Sequence, residues 1–317
     1  MALLALLFVP FSQHALGVEY DYTLQTVALG GVLLGILSGV VGCFAVLRQQ
    51  SLIGDALSHA ALPGVGVAFL LAGRDAGALL IGAGVAAWLG VAFINALTAT
   101  TRIKSDSAMG IVLAAWFGAG IALLTFIQSS PDASQAGLSR FIFGQAAAIV
   151  RADVVLIAQV GAVVLGVIAL FWKEFKLIAF DAPFADALGL RANLVGALLA
   201  TITVVTVVLG LQLAGVVLMV GLLVAPGIAA RQWTHKLNQM VILAAVFGAF
   251  GGGVGAVLSA VQANLPTGPM IIVVLSLLVF ISMSLAPGRG LIWAYLRRRR
   301  DHQRFAYMRE HDIDVRP

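Results

Sequence analysis

The sequence predicts an all-α protein that crosses a membrane about eight or nine times. Of its 317 residues, 61% are hydrophobic and only 10% are charged, and the mean hydropathy is +1.04. A soluble domain of this length carries far more charge. Apolar stretches of about 18 residues or more recur along the whole chain, and each is long enough to cross a bilayer as a helix.

Nine segments have the length and composition of spanning helices. They cover roughly residues 22–47, 54–72, 76–100, 108–127, 152–172, 192–210, 213–230, 238–261 and 268–286. Only a weak polar break at Gln212 separates the sixth from the seventh. The spans define a transmembrane domain over 22–287, between an apolar N-terminal segment, 1–21, and a basic tail, 288–317. Residues 1–10 lack the basic flank of a cleaved signal, so an interfacial piece, an atypical leader and a partial span stay open.

The distribution of basic residues predicts the orientation of the chain. Alternating spans place 16 of the 19 Lys and Arg residues on one side of the membrane, and eight of these are in the tail. Positive charge favours the cytoplasmic side, so the C-terminus is expected inside. The basic residues are spread over several loops, which does not indicate a nucleic-acid partner. The run at 297–300 is most simply an anchor to membrane lipids.

Small residues in the spans predict close helix packing. Gly31, Gly35 and Gly39 recur every four residues in the first span, and Gly251 and Gly255 repeat that spacing in the eighth. Such faces let two helices approach closely inside a membrane. The single cysteine, Cys43, can form no intrachain disulfide or thiolate cluster, and we interpret it as a packing residue.

The second span carries an acid and an imidazole near its start. Asp55 and His59 are four residues apart, so on a helix they share one face. Ionisable groups within a span are costly and therefore indicate function, and these two are plausible ligands of one divalent cation. Ser58 adds a hydroxyl beside them. Pro63 removes the N–H that would bond the carbonyl of His59, which could expose another oxygen to a polar cavity. A histidine that only satisfies a neighbouring acid is the structural alternative.

The long loop at 173–191 predicts a short helix at about 180–190. Asp181 suits the N-cap, Pro183 the first turn and Gly189 the C-terminal stop. Phe184 and Leu188 then share an apolar face with Ala187. This face either rests on lipid or docks a cytoplasmic partner.

The loop after the eighth span is rich in turn residues. It contains Asn264, Pro266 and Gly268 within 262–269. Two prolines and a glycine predict a rigid turn, which is either an ordinary connection or part of an outer gate.

Several of these segments together resemble a known family. The run from Gly54 to Ala60, followed by Leu62-Pro63-Gly64, resembles the defining motif of permeases from manganese, zinc and iron importers of the ATP-binding-cassette type. Four further segments resemble other parts of these permeases in order and spacing: 104–110, 141–144, 180–189 and 222–226. Leu265-Pro266-Thr267-Gly268 resembles a later helix of the family, and the resemblance spans about residues 22–287.

The resemblance implies a transport subunit rather than an enzyme. It implies two permeases around one path, the second being a copy or a paralogue, with two cytoplasmic ATP-binding subunits and an extracytoplasmic metal-binding protein in a bacterial cytoplasmic membrane. Asp55 and His59 would line the path of Mn²⁺, Zn²⁺ or Fe²⁺, which is cargo and not a permanent cofactor. It also implies that the ATPase contacts the segment containing Phe180, Asp181, Phe184, Ala185, Leu188 and Gly189. Asn264 departs from the family pattern, because it occupies the position before Leu-Pro-Thr-Gly at which the family has an acidic residue.

Other functional classes fit the composition less well. A siderophore or cobalamin permease would need a wide path but no acid–imidazole pair. A proton-coupled carrier could use Asp55 and His59 as a proton relay. A membrane metalloprotease is disfavoured because the sequence has no His-Glu-x-x-His motif. It also has no Gly-x-x-x-x-Gly-Lys-Ser/Thr motif, so ATP hydrolysis is expected in a separate subunit.

Overall fold

The computed structural model describes residues 22–129, 149–261 and 267–287, with Gly290 and Trp293, and throughout these ranges every regular element is an α-helix. The helices are α1 Tyr22–Leu47, α2 Ile53–Ala72, α3 Ala76–Thr100, α4 Ser105–Gln128, α5 Arg151–Leu170, α6 Trp172–Phe180, α7 Ala182–Ala187, α8 Ala192–Trp233, α9 Leu237–Val261 and α10 Thr267–Leu285. The predicted all-α fold is confirmed.

Eight helical segments in the described part of the chain are long and apolar enough to cross a membrane. They correspond to eight of the nine predicted spans, with boundaries that differ by at most a few residues. The exception is the predicted seventh span, 213–230, which lies in the second half of α8. The eight matching spans could be predicted because a long apolar run can satisfy its backbone hydrogen bonds in a membrane only as a helix.

α8 contains a sharp break at Gly215 rather than at the predicted polar position, Gln212. Gly215 has φ 75° and ψ 171°, a conformation that glycine adopts without steric cost. The first half of α8 begins near the C-terminal end of α1, where Gly196 lies beside Arg48. The second half ends near the same place, where Gly227 lies beside Val46. The chain therefore reverses at Gly215, and α8 supplies the predicted sixth and seventh segments as two packed halves.

Glycines set the close contact between α1 and α9. Along α1 and α9, Gly31 faces Gly252 and Gly35 faces Gly248, and an added Cβ at Gly31 would lie 2.7 Å from the carbonyl oxygen of Gly252. These positions pair in opposite chain directions, so the helices are antiparallel. The predicted small-residue face of the first span is thus the seam of the bundle.

α2, α3 and α4 form a second packed group. Gly90 of α3 meets Ala60 of α2 and Val112 of α4, so one glycine marks the point where all three helices converge. Gly120 of α4 contacts Leu62, two residues beyond Ala60. Residue numbers rise together along α2 and α4, which makes these two helices parallel with α3 antiparallel beside them.

The segment predicted as the start of a loop is helical. Residues 172–180 form α6, and the loop prediction for this part was wrong. Lys173, Glu174 and Lys176 give the segment its charge, but Phe175 is completely buried and anchors the helix against the bundle. Its ring centroid lies 5.9 Å from that of Phe44 at the end of α1. Tertiary packing therefore stabilises a helix that the polar sequence does not indicate.

Some predictions concern residues outside the described ranges. The N-terminal segment 1–21 lies outside them, as does nearly all of the tail 288–317. Asn264 and Pro266 lie in the undescribed stretch 262–266, whereas Gly268 is a buried residue at the start of α10.

Replacing Gly35 with alanine is expected to destabilise the α1–α9 seam. The new Cβ would overlap the carbonyl of Gly248, and overpacking of this kind costs roughly 1–3 kcal/mol. The melting temperature of the purified protein in detergent measures the effect. Gly84→Ala on α3 is the matched control, because a Cβ there meets nothing within 4 Å and alanine favours a helix. Equal melting temperatures for the two variants would contradict the assigned seam.

Candidate metal-binding site

Asp55 and His59 form a direct pair on α2. Oδ1 of Asp55 lies 3.2 Å from Nε2 of His59, which is the contact that the spacing of four residues predicts. Asp55 is in the first turn of α2, where the positive end of the helix dipole favours a carboxylate. The local sequence therefore holds an oxygen and a nitrogen ligand side by side before any other helix contributes.

The pair occupies the partly open side of a helix whose remaining sides are buried. Ala56, Leu57 and Ala60 are completely buried against the rest of the bundle. The side chains of Asp55 and His59 are instead 32% and 20% exposed. Both donors are thus reachable from one side of α2, where an ion could approach them.

Ser58 does not share that open side. Its side chain is completely buried, and its hydroxyl donates a hydrogen bond to the carbonyl oxygen of Gly54 at 2.6 Å. The structure therefore brings together Asp55 and His59 and places Ser58 on the packed face. Pro63 lies inside α2, whose helix continues to Ala72. The suggested roles of Ser58 and of the His59 carbonyl as ligands stay predictions.

An aromatic residue of a second helix completes the surroundings of His59. The ring centroid of Phe117, on α4, lies 4.7 Å from that of His59, and the planes meet at 77°. Phe117 could not be assigned to the site from the sequence, because a phenylalanine within an apolar span gives no local signal. Only the parallel packing of α2 and α4 brings it to the site.

The distance between the two donors suits a single divalent ion. Two ligands about 2.1 Å from one ion are about 3.0 Å apart at octahedral angles and about 3.4 Å apart at tetrahedral angles. The observed 3.2 Å lies between these values, so the separation of the two atoms is compatible with both binding one ion. Within the described residues, no group of three or more His, Cys, Asp or Glu side chains could hold a metal ion. Among the described residues, Asp55 and His59 thus offer one carboxylate and one imidazole toward the four to six ligands that such ions take.

The second predicted site is the exposed helix α7, at the end of the bundle where α1 ends. Asp181 caps it as predicted, since its Oδ1 accepts a hydrogen bond from the backbone N–H of Phe184 at 2.9 Å. The helix ends at Ala187, and Gly189 follows with φ 82°. Ala185 is buried and fixes the helix to the bundle, while the side chains of Phe184 and Leu188 are 51% and 61% exposed.

Phe180 extends the exposed apolar surface of α7. It is the last residue of α6, immediately before the cap, and its side chain also faces outward. Phe180, Phe184 and Leu188 together form what we call the α7 surface. Three exposed large apolar side chains in and beside a short capped helix mark a surface that contacts either a protein partner or membrane lipid.

Comparisons with known proteins agree with this architecture. A zinc transport system membrane protein from Treponema pallidum is 48% identical over 281 residues, which cover 88% of this chain and 94% of that protein. A manganese transport system membrane protein from Bacillus subtilis is 47% identical over 268 residues, which cover 84% of this chain and 62% of that protein.

A solved structure shows the same fold. The structure of PsaBC from Streptococcus pneumoniae in complex with Fab contains a chain that is 31% identical, with a TM-score of 0.76. The match covers 89% of this chain and 97% of that one. The model of the ABC 3 transport family matches residues 20–286, a range that includes every helix from α1 to α10. The chain therefore belongs to the ABC 3 transport family.

Proposed function

We propose that this chain is the membrane-spanning subunit of an ATP-driven importer that carries a divalent transition metal ion into the cytoplasm by alternating access. The observation that carries the proposal is the Asp55–His59 pair, in which two metal ligands lie 3.2 Å apart on the open side of a spanning helix. An acid and an imidazole within a span are energetically costly, so their presence there indicates a functional site.

The donor set favours Mn²⁺, Zn²⁺ or Fe²⁺ as the cargo. Carboxylate oxygen and imidazole nitrogen suit all three ions, whereas a copper path normally uses thiolate or thioether ligands. The only cysteine, Cys43, is buried in α1 and away from the open side of α2. The names of the similar proteins, which mention zinc and manganese transport, support the same range of ions.

A second permease is proposed to complete the coordination. Asp55 and His59 supply two ligands and leave the other coordination positions of the ion open. A second copy or a paralogue across a central path would add its own pair, while an extracytoplasmic metal-binding protein would deliver the ion. A site shared between subunits is also easily taken apart, which suits alternating access.

The energy for transport is proposed to come from two cytoplasmic ATP-binding subunits that dock on the α7 surface. The sequence of this chain has no phosphate-binding loop motif, so it cannot supply ATP hydrolysis through one. Phe180, Phe184 and Leu188 offer the partner exposed apolar side chains on an element that Ala185 anchors to the bundle. A push on α7 would then move α6 and the spans together.

Replacing Asp55 with asparagine is expected to abolish most metal uptake. The change keeps the shape of the side chain and removes a charged ligand, so uptake should fall more than about tenfold. The measurement is uptake of labelled Mn²⁺ and Zn²⁺ by proteoliposomes that hold this chain, its ATPase and its binding protein, with ATP inside. Asp75→Asn is the matched control, because Asp75 caps α3 and asparagine caps equally well.

The same assay separates the competing functions. Uptake that needs ATP and one of the two ions supports the proposal and identifies the ion. Uptake without ATP that collapses with the proton gradient would indicate a secondary carrier instead. Uptake of a chelate but of no free ion would indicate a siderophore or cobalamin permease, and unchanged uptake in Asp55→Asn would show that the pair is structural.

Replacing Phe184 with aspartate is expected to uncouple the ATPase. A charge in the centre of the α7 surface disfavours burial against a partner, so co-purification of the ATP-binding subunit and ATP-dependent uptake should both fall. Phe184→Leu keeps an apolar side chain and should retain both. Folding should persist in each variant, because the capping bond of α7 uses the backbone N–H of this residue. Normal ATPase binding by Phe184→Asp would refute the docking role.

The C-terminal tail is expected on the cytoplasmic side. Because Cys43 is buried, a cysteine introduced by Arg309→Cys should be the main site of labelling by a membrane-impermeant maleimide. We expect labelling in inside-out vesicles and not in intact cells stripped of their outer barrier. Arg74→Cys, in the exposed turn between α2 and α3, should show the opposite pattern. Labelling of both variants from one side would overturn the predicted topology.

A further inference from the structure

The imidazole of His59 is held in an unusual way for a metal ligand. A histidine that binds a metal normally donates its other ring N–H to a carboxylate, a carbonyl or water, and this bond fixes the orientation of the ring. In His59, Nε2 faces Asp55, while Nδ1 is buried and has no hydrogen-bond partner among the described residues. Within these residues, no polar group fixes the far side of the ring.

The ring that packs on His59 is Phe117. Its centroid is 4.7 Å away and its plane is close to perpendicular, an edge-to-face arrangement that is favourable between aromatic rings. Phe117 is itself 38% exposed, so one part of its side chain contacts the imidazole and another part is uncovered by the described residues.

The register of α4 fixes Phe117 in this position. One turn further along both helices, Gly120 contacts Leu62, and Gly66 contacts the side chain of Leu123 another turn on. An added Cβ at Gly120 would lie 2.7 Å from the Cβ of Leu62, so the helices have little room to slide. The parallel pair α2–α4 therefore sets Phe117 against His59.

We propose that Phe117 is a positioning residue of the metal site. Its ring holds the imidazole so that Nε2 stays beside Oδ1 of Asp55, the role that a hydrogen-bonded partner has in permanent metal centres. This inference rests on the proposed function. Packing orients the ring but does not raise its basicity as a hydrogen-bonded carboxylate would. The ligand is thus ordered and still binds weakly enough to release its ion.

The proposal is tested by equilibrium binding of Mn²⁺, Zn²⁺ and Fe²⁺ to the complete importer in nanodiscs, measured for Mn²⁺ by the loss of the free-ion EPR signal and for Zn²⁺ and Fe²⁺ by equilibrium dialysis. Binding that Asp55→Ala removes defines the site. Phe117→Leu is expected to weaken that binding by about 3- to 10-fold, since it loses the ring contact. Phe117→Tyr keeps the ring and should bind within about twofold of the wild type. Phe117→Met provides a second ring-free variant if the leucine variant does not assemble.

Trp116→Leu is the control for a merely structural effect. Trp116 precedes Phe117 on α4 but packs on Phe93 of α3, with ring centroids 5.5 Å apart. It should leave the binding constant unchanged. Equal weakening in Trp116→Leu, equal weakening in Phe117→Tyr, or wild-type binding in Phe117→Leu would each overturn the positioning role. A wild-type importer without any binding that Asp55→Ala removes would instead refute the proposed function.

Discussion

The structure depends on placing an ionisable pair in a helix that is otherwise apolar. Asp55 and His59 are only partly exposed, and a polar group that is withdrawn from water without a partner costs several kcal/mol. Each satisfies the other across 3.2 Å, and the surrounding helices leave only that side of α2 open. The glycine at position 90 lets α3 and α4 close around the remaining faces of α2. The rest of the bundle can then be as apolar as the lipid around it.

The site and the α7 surface are joined by continuous packing. α6 ends where α7 begins, and its Trp172 and Phe175 both pack on Phe44 in the last turn of α1. From there a short turn leads into α2 and Asp55. Gln49 in this turn has φ 57°, a left-handed conformation that is uncommon outside glycine.

That turn is short and hydrogen-bonded, so α1 and α2 are firmly connected. The N–H of Gln50 donates to the carbonyl of Ala45, and the N–H of Gln49 donates to that of Val46, which closes the end of α1. Under the proposed function, this packing through Phe44 and Phe175 would transmit a displacement of α7 to the helix that carries Asp55 and His59. Contiguous packed elements of this kind are the physical basis on which two distant sites can be coupled.

The sequence predicted what depends on local geometry and could not predict what depends on tertiary packing. Span boundaries follow from apolar length, and the Asp55–His59 contact follows from helical periodicity, so both were found. α6 was missed because its charges masked a helix that Phe175 anchors in the core. The reversal in α8 was expected at Gln212 and occurs at Gly215, because backbone freedom and not polarity decides where a helix can turn. Phe117 was missed because one more phenylalanine in an apolar span carries no information until the register of α4 is known.

A pair of candidate ligands on α2 is also what distinguishes the proposed transport site from a storage site. A full set of four protein ligands would hold a transition metal tightly and release it slowly, whereas a conducting site must bind well enough to admit an ion and weakly enough to let it leave. Asp55 and His59 meet the first need because they are already spaced for one ion. Under the proposed function they meet the second, because among the described residues no group of three or more His, Cys, Asp or Glu side chains could hold the ion tightly. In that proposal the affinity for the ion rises when complementary ligands of a second permease are in place and falls when the helices separate, so a movement of the subunits would switch the site between capture and release.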